Sequence, residues 1–364
     1  MKLFTVGPVQ LYKQVAEVKR EEIPYFRTEE YGGMVKGCLK GLAELLGTEY
    51  NDNILYLTAS GTAAMEAVIE NCFTALDKLL VINGGSFGHR FCELCAWHKI
   101  PYDAIELKWD ETLTASHLQP FAGKGYTALI VNLHETSVGQ LYDLKMLSEF
   151  CRQNNMYLVV DAISTFLADD YAMDDNGVDV TIFSSQKGLC LSPGLSFVAF
   201  SERMKQRVLL QGRAASAYFD FRDYFRNISR GQTPYTPAVF IMYELQAMLN
   251  VISSFGGKAA WLADIKAKAE HFRTTAASAG LKVKSSTPQS NMMTVLEFDG
   301  VSARDIFLAL AAEYQIYVNP CGGELADRLM RVSHAGNITK ADLDDLLAKI
   351  LQIKTALEAQ QCAA

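Results

Sequence analysis

Short apolar runs recur through the first two thirds of the chain, and stretches with helical spacing of apolar residues separate most of them. Strands that are apolar throughout are buried on both faces, and their alternation with helices is typical of an α/β layered domain on a mostly parallel sheet. The connection between the last two runs is too short for a parallel crossover, so one of them is expected to run antiparallel. The predicted strands cover residues 54–58, 79–82, 128–132, 157–161, 178–183 and 195–200.

The last third of the chain has a different pattern, which begins after the break at residues 253–257. We therefore predict an N-terminal arm (1–32), a large α/β domain (33–256) and a small α+β domain (257–364). In the large domain, helices are predicted over residues 33–47, 61–74, 87–98, 144–154 and 238–254, and residues 218–230 are predicted to be irregular. In the small domain, helices are predicted over 258–279, 302–313 and after Thr339, with Asp342 as its capping-box partner, and strands over 292–298, 316–318 and 328–333.

Composition and charge exclude several classes of protein. The formal net charge is −7 over 364 residues, and nucleic-acid-binding proteins are usually basic, so no nucleic-acid partner is expected. No apolar run reaches the length of a membrane span and the first residues do not resemble a signal peptide, so no membrane association is predicted. The eight cysteines are scattered, which favours reduced thiols in a cytoplasmic protein. Cys92 and Cys95 are expected to face the core rather than bind zinc, and no metal is predicted.

One lysine follows the apolar run 178–183, in the turn Ser184-Ser185-Gln186-Lys187-Gly188-Leu189. A lysine between two buried strands has to be neutralised, paired or covalently used. Its amine forms a Schiff base with an aldehyde when its surroundings lower its pKa. Taken alone, this stretch is more often an ordinary loop lysine than a functional one. The residues at the other strand ends are therefore needed to distinguish these two interpretations.

The ligands of an open parallel sheet gather beyond the carboxyl ends of its strands. Ala59-Ser60-Gly61-Thr62 is a small turn at a helix start, which suits a phosphate, although an ordinary N-cap is the alternative. Residues 83–88 carry Phe87, which is either a plate for a ligand or a core aromatic. Residues 132–139 form a dense polar cluster, and Asp161 ends a buried strand, where a structural salt bridge is the alternative to a functional carboxylate.

Pyridoxal phosphate needs the groups that these strand ends supply together. A lysine holds its aldehyde, a carboxylate pairs with the pyridinium nitrogen, an aromatic ring stacks on it, and a helix N-terminus anchors its phosphate. The order along the chain of phosphate turn, Phe87, Asp161 and Lys187 therefore favours a functional lysine over a loop lysine.

The chain also resembles the class V aminotransferases, which are fold-type I pyridoxal-phosphate enzymes, and within them the alanine–glyoxylate, serine–pyruvate and 2-aminoethylphosphonate–pyruvate branch. The most specific motifs are Asp161-Ala162-Ile163-Ser164, Ser184-Ser185-Gln186-Lys187 and His134-Glu135-Thr136-Ser137-x-Gly139. The similarity extends from residue 7 to residue 337. It implies a large domain with a mostly parallel seven-stranded sheet between helices, a small α+β C-terminal domain, and a homodimer with shared active sites.

The resemblance also implies roles residue by residue. Lys187 carries the Schiff base and moves the α-proton, and Asp161 pairs with the pyridine nitrogen. Arg331 matches the arginine that binds the substrate carboxylate, with a structural ion pair as the alternative, and Gly7 is placed on the substrate side. The other cofactor-binding positions are Ser60, Gly61, Thr62 and Gln186 at the phosphate, Phe87 and Ile163 on the two ring faces, Thr136 at the ring hydroxyl, and Tyr235 and Thr236 reaching the phosphate from the neighbouring subunit.

The implied reaction is a ping-pong transamination from alanine, serine or 2-aminoethylphosphonate to pyruvate or glyoxylate. Two stretches depart from the family pattern near the substrate end and leave the substrate open, namely His334-Ala335-Gly336 and Cys321-Gly322-Gly323. Two alternatives also remain open. One is a lyase of the cysteine desulfurase type, for which Cys321 would be the nucleophile, and the other is a non-catalytic binding module on the same fold.

Overall fold

The computed structural model describes residues 1–18, 22 and 24–363. Its strands, in chain order, are β1 (Lys2–Leu3), β2 (Ile54–Leu57), β3 (Leu79–Asn83), β4 (Tyr102–Glu106), β5 (Ala128–Asn132), β6 (His134–Glu135), β7 (Gln140–Leu141), β8 (Tyr157–Asp161), β9 (Val180–Ser184), β10 (Ser196–Phe200), β11 (Lys282–Val283), β12 (Met293–Glu297), β13 (Ile316–Tyr317), β14 (Asn319–Pro320) and β15 (Leu329–Ser333).

The helices of the same residues are α1 (Lys13–Glu17), α2 (Glu29–Leu46), α3 (Gly61–Cys72), α4 (Ser86–Trp97), α5 (Ala115–Leu118), α6 (Leu144–Gln153), α7 (Glu202–Leu210), α8 (Phe221–Ile228), α9 (Val239–Ser254), α10 (Gly257–Ser278), α11 (Ala303–Tyr314) and α12 (Lys340–Ala363). Short 3-10 turns cover Asn51–Asn53, Gln119–Phe121 and Gly323–Leu325.

Seven strands form one sheet in the order β2-β10-β9-β8-β5-β3-β4. Neighbouring strands are parallel except at β10, which runs antiparallel to both β2 and β9. Strand β10 reverses because the turn that leaves β9 is too short for a crossover. The predicted mostly parallel sheet of seven strands, with one antiparallel strand, is confirmed. It is buried between helices and brings the carboxyl ends of β2, β3, β5, β8 and β9 to one edge.

Strand β4 was absent from the predicted strands. It lies at the edge of the sheet, and most of its residues are only partly buried. Because an edge strand faces water on one side, it carries Asp103 and Glu106 among its apolar residues. Those two carboxylates break the apolar run that marks the other strands.

Some helical predictions differ from the observed helices in their bounds or missed a helix. Helix α2 begins at Glu29, four residues before the predicted start, because the Thr28 side chain caps it by accepting from the Tyr31 N–H over 3.1 Å. The segment predicted to be irregular contains α8, which Asp220 caps by accepting from the Arg222 N–H. Its buried side chains have helical spacing, but the charged residues between them obscure that pattern in the sequence. The buried residues are Phe221, Tyr224, Phe225 and Ile228. Helix α7 was also not predicted.

The last third of the chain builds a second, antiparallel sheet in the order β11-β12-β15-β14. Helices α10, α11 and α12 pack on it around a second hydrophobic cluster that includes Phe272, Leu296, Ile306, Met330 and Leu346. The predicted capping box is confirmed, since the Thr339 N–H donates to Asp342 over 2.8 Å and the Asp342 N–H donates to Thr339 Oγ1 over 3.2 Å. The division of the chain at residue 257 stays a prediction.

The N-terminal residues connect the two sheets. Strand β1 pairs in parallel with β13, and Phe4 is buried in the second cluster. The Val9 N–H then donates to the Gln186 carbonyl over 3.2 Å. The chain therefore passes over the turn that follows β9, where the candidate lysine lies.

No single helix of the described residues has the length and apolar character needed to cross a membrane. The consecutive helices α9 and α10 meet that test only as a pair, bent by 83° where they join.

Candidate active site

The Lys187 side chain begins in a tightly held turn between β9 and β10. The Cys190 N–H donates to the Lys187 carbonyl over 2.8 Å. A Cβ on Gly188 would run into the carbonyl oxygen of Phe166, so a glycine is needed for the backbones to approach this closely. Above the turn, a Cβ on Gly7 would lie 2.6 Å from Cδ and 2.7 Å from Cε of Lys187. The backbone of Gly7 therefore covers the stem of the lysine.

The surroundings of Lys187 weaken its hold on a proton. Burial lowers the pKa of Lys187 to about 8, the Arg331 cation acts in the same direction, and the Asp161 carboxylate opposes both. Burial disfavours the charged form of an amine, and the Asp161 carboxylate compensates only in part. More of this amine is therefore in its neutral, nucleophilic form at neutral pH than for an exposed lysine.

Asp161 ends β8 and is buried. Its Oδ2 accepts from Asn132 Nδ2 over 2.7 Å, and its Oδ1 accepts from the Ile163 N–H over 2.9 Å. Burial raises the pKa of Asp161 to about 6, against these two hydrogen bonds and the Lys187 charge, which lower it. Within the described part of the chain Asp161 has no salt-bridge partner, so the structural ion pair considered from the sequence is not found there.

Helix α3 begins at the same edge of the sheet. Its N-cap is Ser60, whose side chain accepts from the Ala63 N–H over 3.3 Å. A Cβ on Gly61 would lie 2.6 Å from Cδ1 of Ile163. The ordinary N-cap considered from the sequence is therefore present, and the free N–H groups and positive end of a twelve-residue helix also lie here.

Phe87 lies in the first turn of α4, half-buried, and Glu135 holds that turn in place. One carboxylate oxygen of Glu135 accepts from the Phe87 N–H over 3.1 Å and from the Gly88 N–H over 2.9 Å. The Arg90 guanidinium lies 5.3 Å from the centre of the Phe87 ring, and its Nη1 donates to Thr62 Oγ1 over 3.3 Å. Glu135 therefore fixes the backbone of Phe87, and Arg90 links its ring to Thr62 at the start of α3.

Arg331 projects from β15 and is held by two backbone carbonyls. Its Nη1 donates to the Thr136 carbonyl over 3.0 Å and its Nη2 donates to the Pro320 carbonyl over 2.7 Å. Its Nε is buried and has no hydrogen-bond partner among the residues that the structure describes. Leaving a buried N–H of a charged group without an acceptor costs free energy. The Arg331 guanidinium is therefore held in one orientation with an N–H that a ligand could use.

One cavity of about 190 Å³ collects most of the predicted site residues. It is smaller than the roughly 300–1,000 Å³ of sites for drug-sized ligands, which suits a small molecule. The predicted residues that line it are Gly7, Ser60, Gly61, Thr62, Phe87, Thr136, Asp161, Ile163, Gln186 and Lys187. Arg331 does not line it, and Tyr235 and Thr236 are exposed residues that lie outside it.

Three further residues line the cavity without a role in the sequence-based prediction, namely Met65, Asn132 and Ser164. Asn132 ends β5 directly opposite Asp161 at the end of β8. The rule that ligands gather at the carboxyl ends of parallel strands could have identified it. The sequence carried no comparable signal for Met65, which is one of many apolar residues of α3.

Three cysteines considered from the sequence are buried in surroundings that keep their thiols protonated. Cys92 and Cys95 are both buried on α4, as predicted, and burial raises their pKa values to about 11 and about 12. Cys321 is buried and its Sγ donates to the Ser137 carbonyl over 3.3 Å. Burial raises its pKa as well. A thiol that is neutral and hydrogen-bonded is not the activated, mobile nucleophile that a desulfurase requires.

The sheet order, the second antiparallel sheet and the lysine after β9 define a fold-type I transferase. An alanine–glyoxylate aminotransferase from Nostoc sp. has the same fold, with a TM-score of 0.91 and 24% identity over 96% of this chain and 94% of that one. The class-V aminotransferase family matches residues 10–346, and the chain belongs to this family.

Curated relatives agree with that assignment. The chain is 27% identical to an L-aspartate–glyoxylate aminotransferase from Paracoccus denitrificans, over 93% of this chain and 87% of the relative. It is 24% identical to a serine–glyoxylate aminotransferase from Arabidopsis thaliana, over 96% and 89%. The protein is therefore a transaminase of class V, in a family whose members depend on pyridoxal phosphate.

Proposed function

We propose that this transaminase moves an amino group from a small amino acid or aminophosphonate to pyruvate or glyoxylate, with pyridoxal 5'-phosphate bound at Lys187. Alanine, serine and 2-aminoethylphosphonate are the proposed donors. The observation that carries the proposal is the meeting of Lys187 and Asp161 at one small cavity, with their pKa values moved to about 8 and about 6. Burial moves the two pKa values toward each other, and pKa values perturbed in this way cluster at functional sites.

The residues present fit the cofactor. The start of α3 offers backbone N–H groups and the Ser60 and Thr62 hydroxyls to a phosphate, and no side chain at Gly61 obstructs the approach. Phe87 and Ile163 supply apolar faces, and Asp161 supplies a carboxylate for a ring N–H. The full set that would hold the cofactor is Ser60, Gly61, Thr62 and Gln186 for the phosphate, Phe87 and Ile163 for the ring faces, Thr136 for the ring hydroxyl, Asp161 for the ring nitrogen and Lys187 for the aldehyde carbon.

The bound cofactor would supply an electron sink that stabilises negative charge at the substrate Cα. The protein's own part begins with Lys187, whose Nζ accepts the proton from that Cα as a general base. A base with a pKa near 8 takes and returns a proton readily at neutral pH. Gly7 leaves no side chain in the path of Nζ. The first oxo acid leaves before the second binds, so the kinetics are ping-pong.

Arg331 is proposed to bind the substrate carboxylate. Two backbone carbonyls orient its guanidinium, and Nε has no acceptor in the described part of the chain. A carboxylate provides that acceptor and can use a second N–H of the same planar fork. Replacing Arg331 with lysine keeps the charge and removes the fork, so the donor KM should rise at least tenfold with a smaller change in kcat.

The proposed assembly is a homodimer in which each subunit completes the other's phosphate site. Tyr235 and Thr236 are exposed and lie outside the cavity of their own chain, so a contact with the phosphate would have to come from the partner subunit. Sedimentation should give twice the monomer mass, and Thr236→Ala should weaken cofactor binding without changing that mass. A monomer that binds the cofactor with full affinity would exclude shared sites.

A screen of half-reactions tests the proposed function. The pyridoxal-phosphate form is mixed with each donor, and the aminated form with each acceptor, while the cofactor absorbance is followed. Conversion by at least one small donor and by pyruvate or glyoxylate is expected, and Lys187→Ala should abolish it. Release of sulfide from cysteine without transamination would instead support the lyase.

A further inference from the structure

Three successive carbonyls of one turn are held by side chains from the second sheet and its flanks. The turn covers residues 136–139 and joins β6 to β7, and its first residue, Thr136, lines the cavity. The three contacts are Arg331 Nη1 to the Thr136 carbonyl at 3.0 Å, Cys321 Sγ to the Ser137 carbonyl at 3.3 Å, and Lys284 Nζ to the Val138 carbonyl at 2.6 Å.

Lys284 makes the shortest of these contacts and is itself fixed. Its backbone N–H donates to the Val295 carbonyl of β12 over 2.9 Å. Its Nζ also donates to the Trp109 carbonyl over 3.1 Å, and it lies 5.5 Å from the centre of the Trp109 ring, which the Arg328 guanidinium approaches to 5.1 Å. The amine is partly buried among carbonyls rather than extended into water, and burial lowers its pKa.

The turn has little room to move on its own. Gly139 has a φ of +75°, and a Cβ there would run into Cγ2 of Val295. The N–H groups of Val138 and Gly139 both donate to the Glu135 carbonyl, at 3.2 and 2.8 Å. The Glu135 side chain in turn caps the first turn of α4 at Phe87. A displacement of the turn would therefore move Thr136 directly and Phe87 through Glu135.

We propose that Lys284 is a positioning residue of the transamination site. It holds the Val138 carbonyl and thereby keeps Thr136 and Phe87 in place on two sides of the cavity, without touching the substrate. Arg331 contacts the Thr136 carbonyl and Lys284 contacts the Val138 carbonyl, so the two side chains hold different residues of the turn. This inference rests on the proposed function, since the groups that Lys284 positions are the proposed cofactor contacts.

The test compares Lys284→Met, which removes the donor, with Lys284→Arg, which keeps one. Lys282→Met is the matched control, since Lys282 lies two residues away with its side chain 59% exposed and paired to Glu297 over 2.8 Å. Hydrogen–deuterium exchange of the cofactor-free proteins reports on the turn independently of activity. Exchange of residues 135–139 should become faster in Lys284→Met, stay near the parent rate in Lys284→Arg, and be unchanged in Lys282→Met.

In the holoenzyme, Lys284→Met should lower kcat about tenfold, by the same factor for every donor that the parent accepts and with little change in KM. Lys284→Arg should recover part of the loss. Unchanged exchange in the turn would overturn the proposal, as would faster exchange throughout the protein, which would make Lys284 merely structural. A loss confined to one class of donor would place Lys284 on the substrate and also overturn it. If the parent converts no donor, the proposed function fails, while the exchange result still decides whether Lys284 holds the turn.

Discussion

Asn132 donates its amide to the Asp161 carboxylate over 2.7 Å, at the ends of two adjacent parallel strands. Both side chains are buried, and Asn132 Oδ1 has no hydrogen-bond partner within the described residues. The pair is direct because residues 132 and 161 are in register. The amide supplies a side-chain donor to a carboxylate that burial otherwise pushes toward its neutral form.

Asn132→Ala should weaken cofactor binding more at pH 6 than at pH 8. Without the amide donor the pKa of Asp161 rises further above about 6, so at pH 6 most of the carboxyl is protonated and cannot pair with a ring N–H. Absorbance titration with pyridoxal phosphate at the two pH values measures this. An equal loss at both values would mean that Asn132 does not act through the ionisation of Asp161.

Asp161→Asn should stabilise the cofactor-free protein at high pH while impairing its cofactor site. The folded pKa is raised from 3.8 to about 6, so the stability linked to this group is present below pH 4 and is lost as the pH rises through about 6. A shift of about two pKa units corresponds to about 3 kcal/mol at most. The Asn132 amide can rotate and accept from the new amide at position 161, since its Oδ1 has no other partner among the residues that the structure describes.

Urea unfolding of the cofactor-free parent and of Asp161→Asn at pH 5 and pH 8 tests this directly. The free energy of unfolding of Asp161→Asn should exceed that of the parent by more at pH 8 than at pH 5. A variant that is less stable than the parent at pH 8 would show that the ionised Asp161 carboxylate does not destabilise the folded protein.

Covalent capture of pyridoxal phosphate by the cofactor-free protein should become faster with rising pH and level off above about pH 8. The neutral amine is the nucleophile, and the pKa of Lys187 is lowered to about 8. Stopped-flow absorbance measures the rate, and Lys187→Ala should show no covalent step, whereas a variant at the exposed Lys13 should match the parent. A rate that still climbs steeply beyond pH 9.5 would indicate an ordinary lysine, with a pKa of about 10.4.

Gly7→Ala should slow proton transfer at Lys187. The added methyl would lie 2.6 Å from Cδ and 3.2 Å from Nζ of the lysine, so the lysine has to move from its present position. We expect kcat to fall at least tenfold. Gly212→Ala is the control, since a Cβ at Gly212 would meet no atom of the described residues within 4 Å. A Gly7→Ala enzyme with the parent's kcat would show that the Lys187 side chain can move aside without loss of activity.

Much of the large sheet could be read from the sequence because its strands are buried on both faces. Continuous apolar runs identify such strands, and β5 and β8 were predicted with their observed bounds. Two of the exceptions have a common cause: β4 is partly exposed at an edge and α8 is amphipathic with many charges. Their polar residues face water, so the apolar signal is diluted.

The sequence by itself determined which groups the strand ends deliver, since Ser60, Phe87, Asp161 and Lys187 each follow a recognisable apolar strand. The tertiary structure alone decided what those groups touch. Gly7 covers Lys187, Asn132 donates to Asp161, and Lys284 holds the turn beside Thr136. These contacts join residues far apart in the chain, and their distances depend on strand register and on how the two sheets pack. Local patterns of apolar and polar residues do not specify which strand residues lie opposite each other or how the two sheets pack.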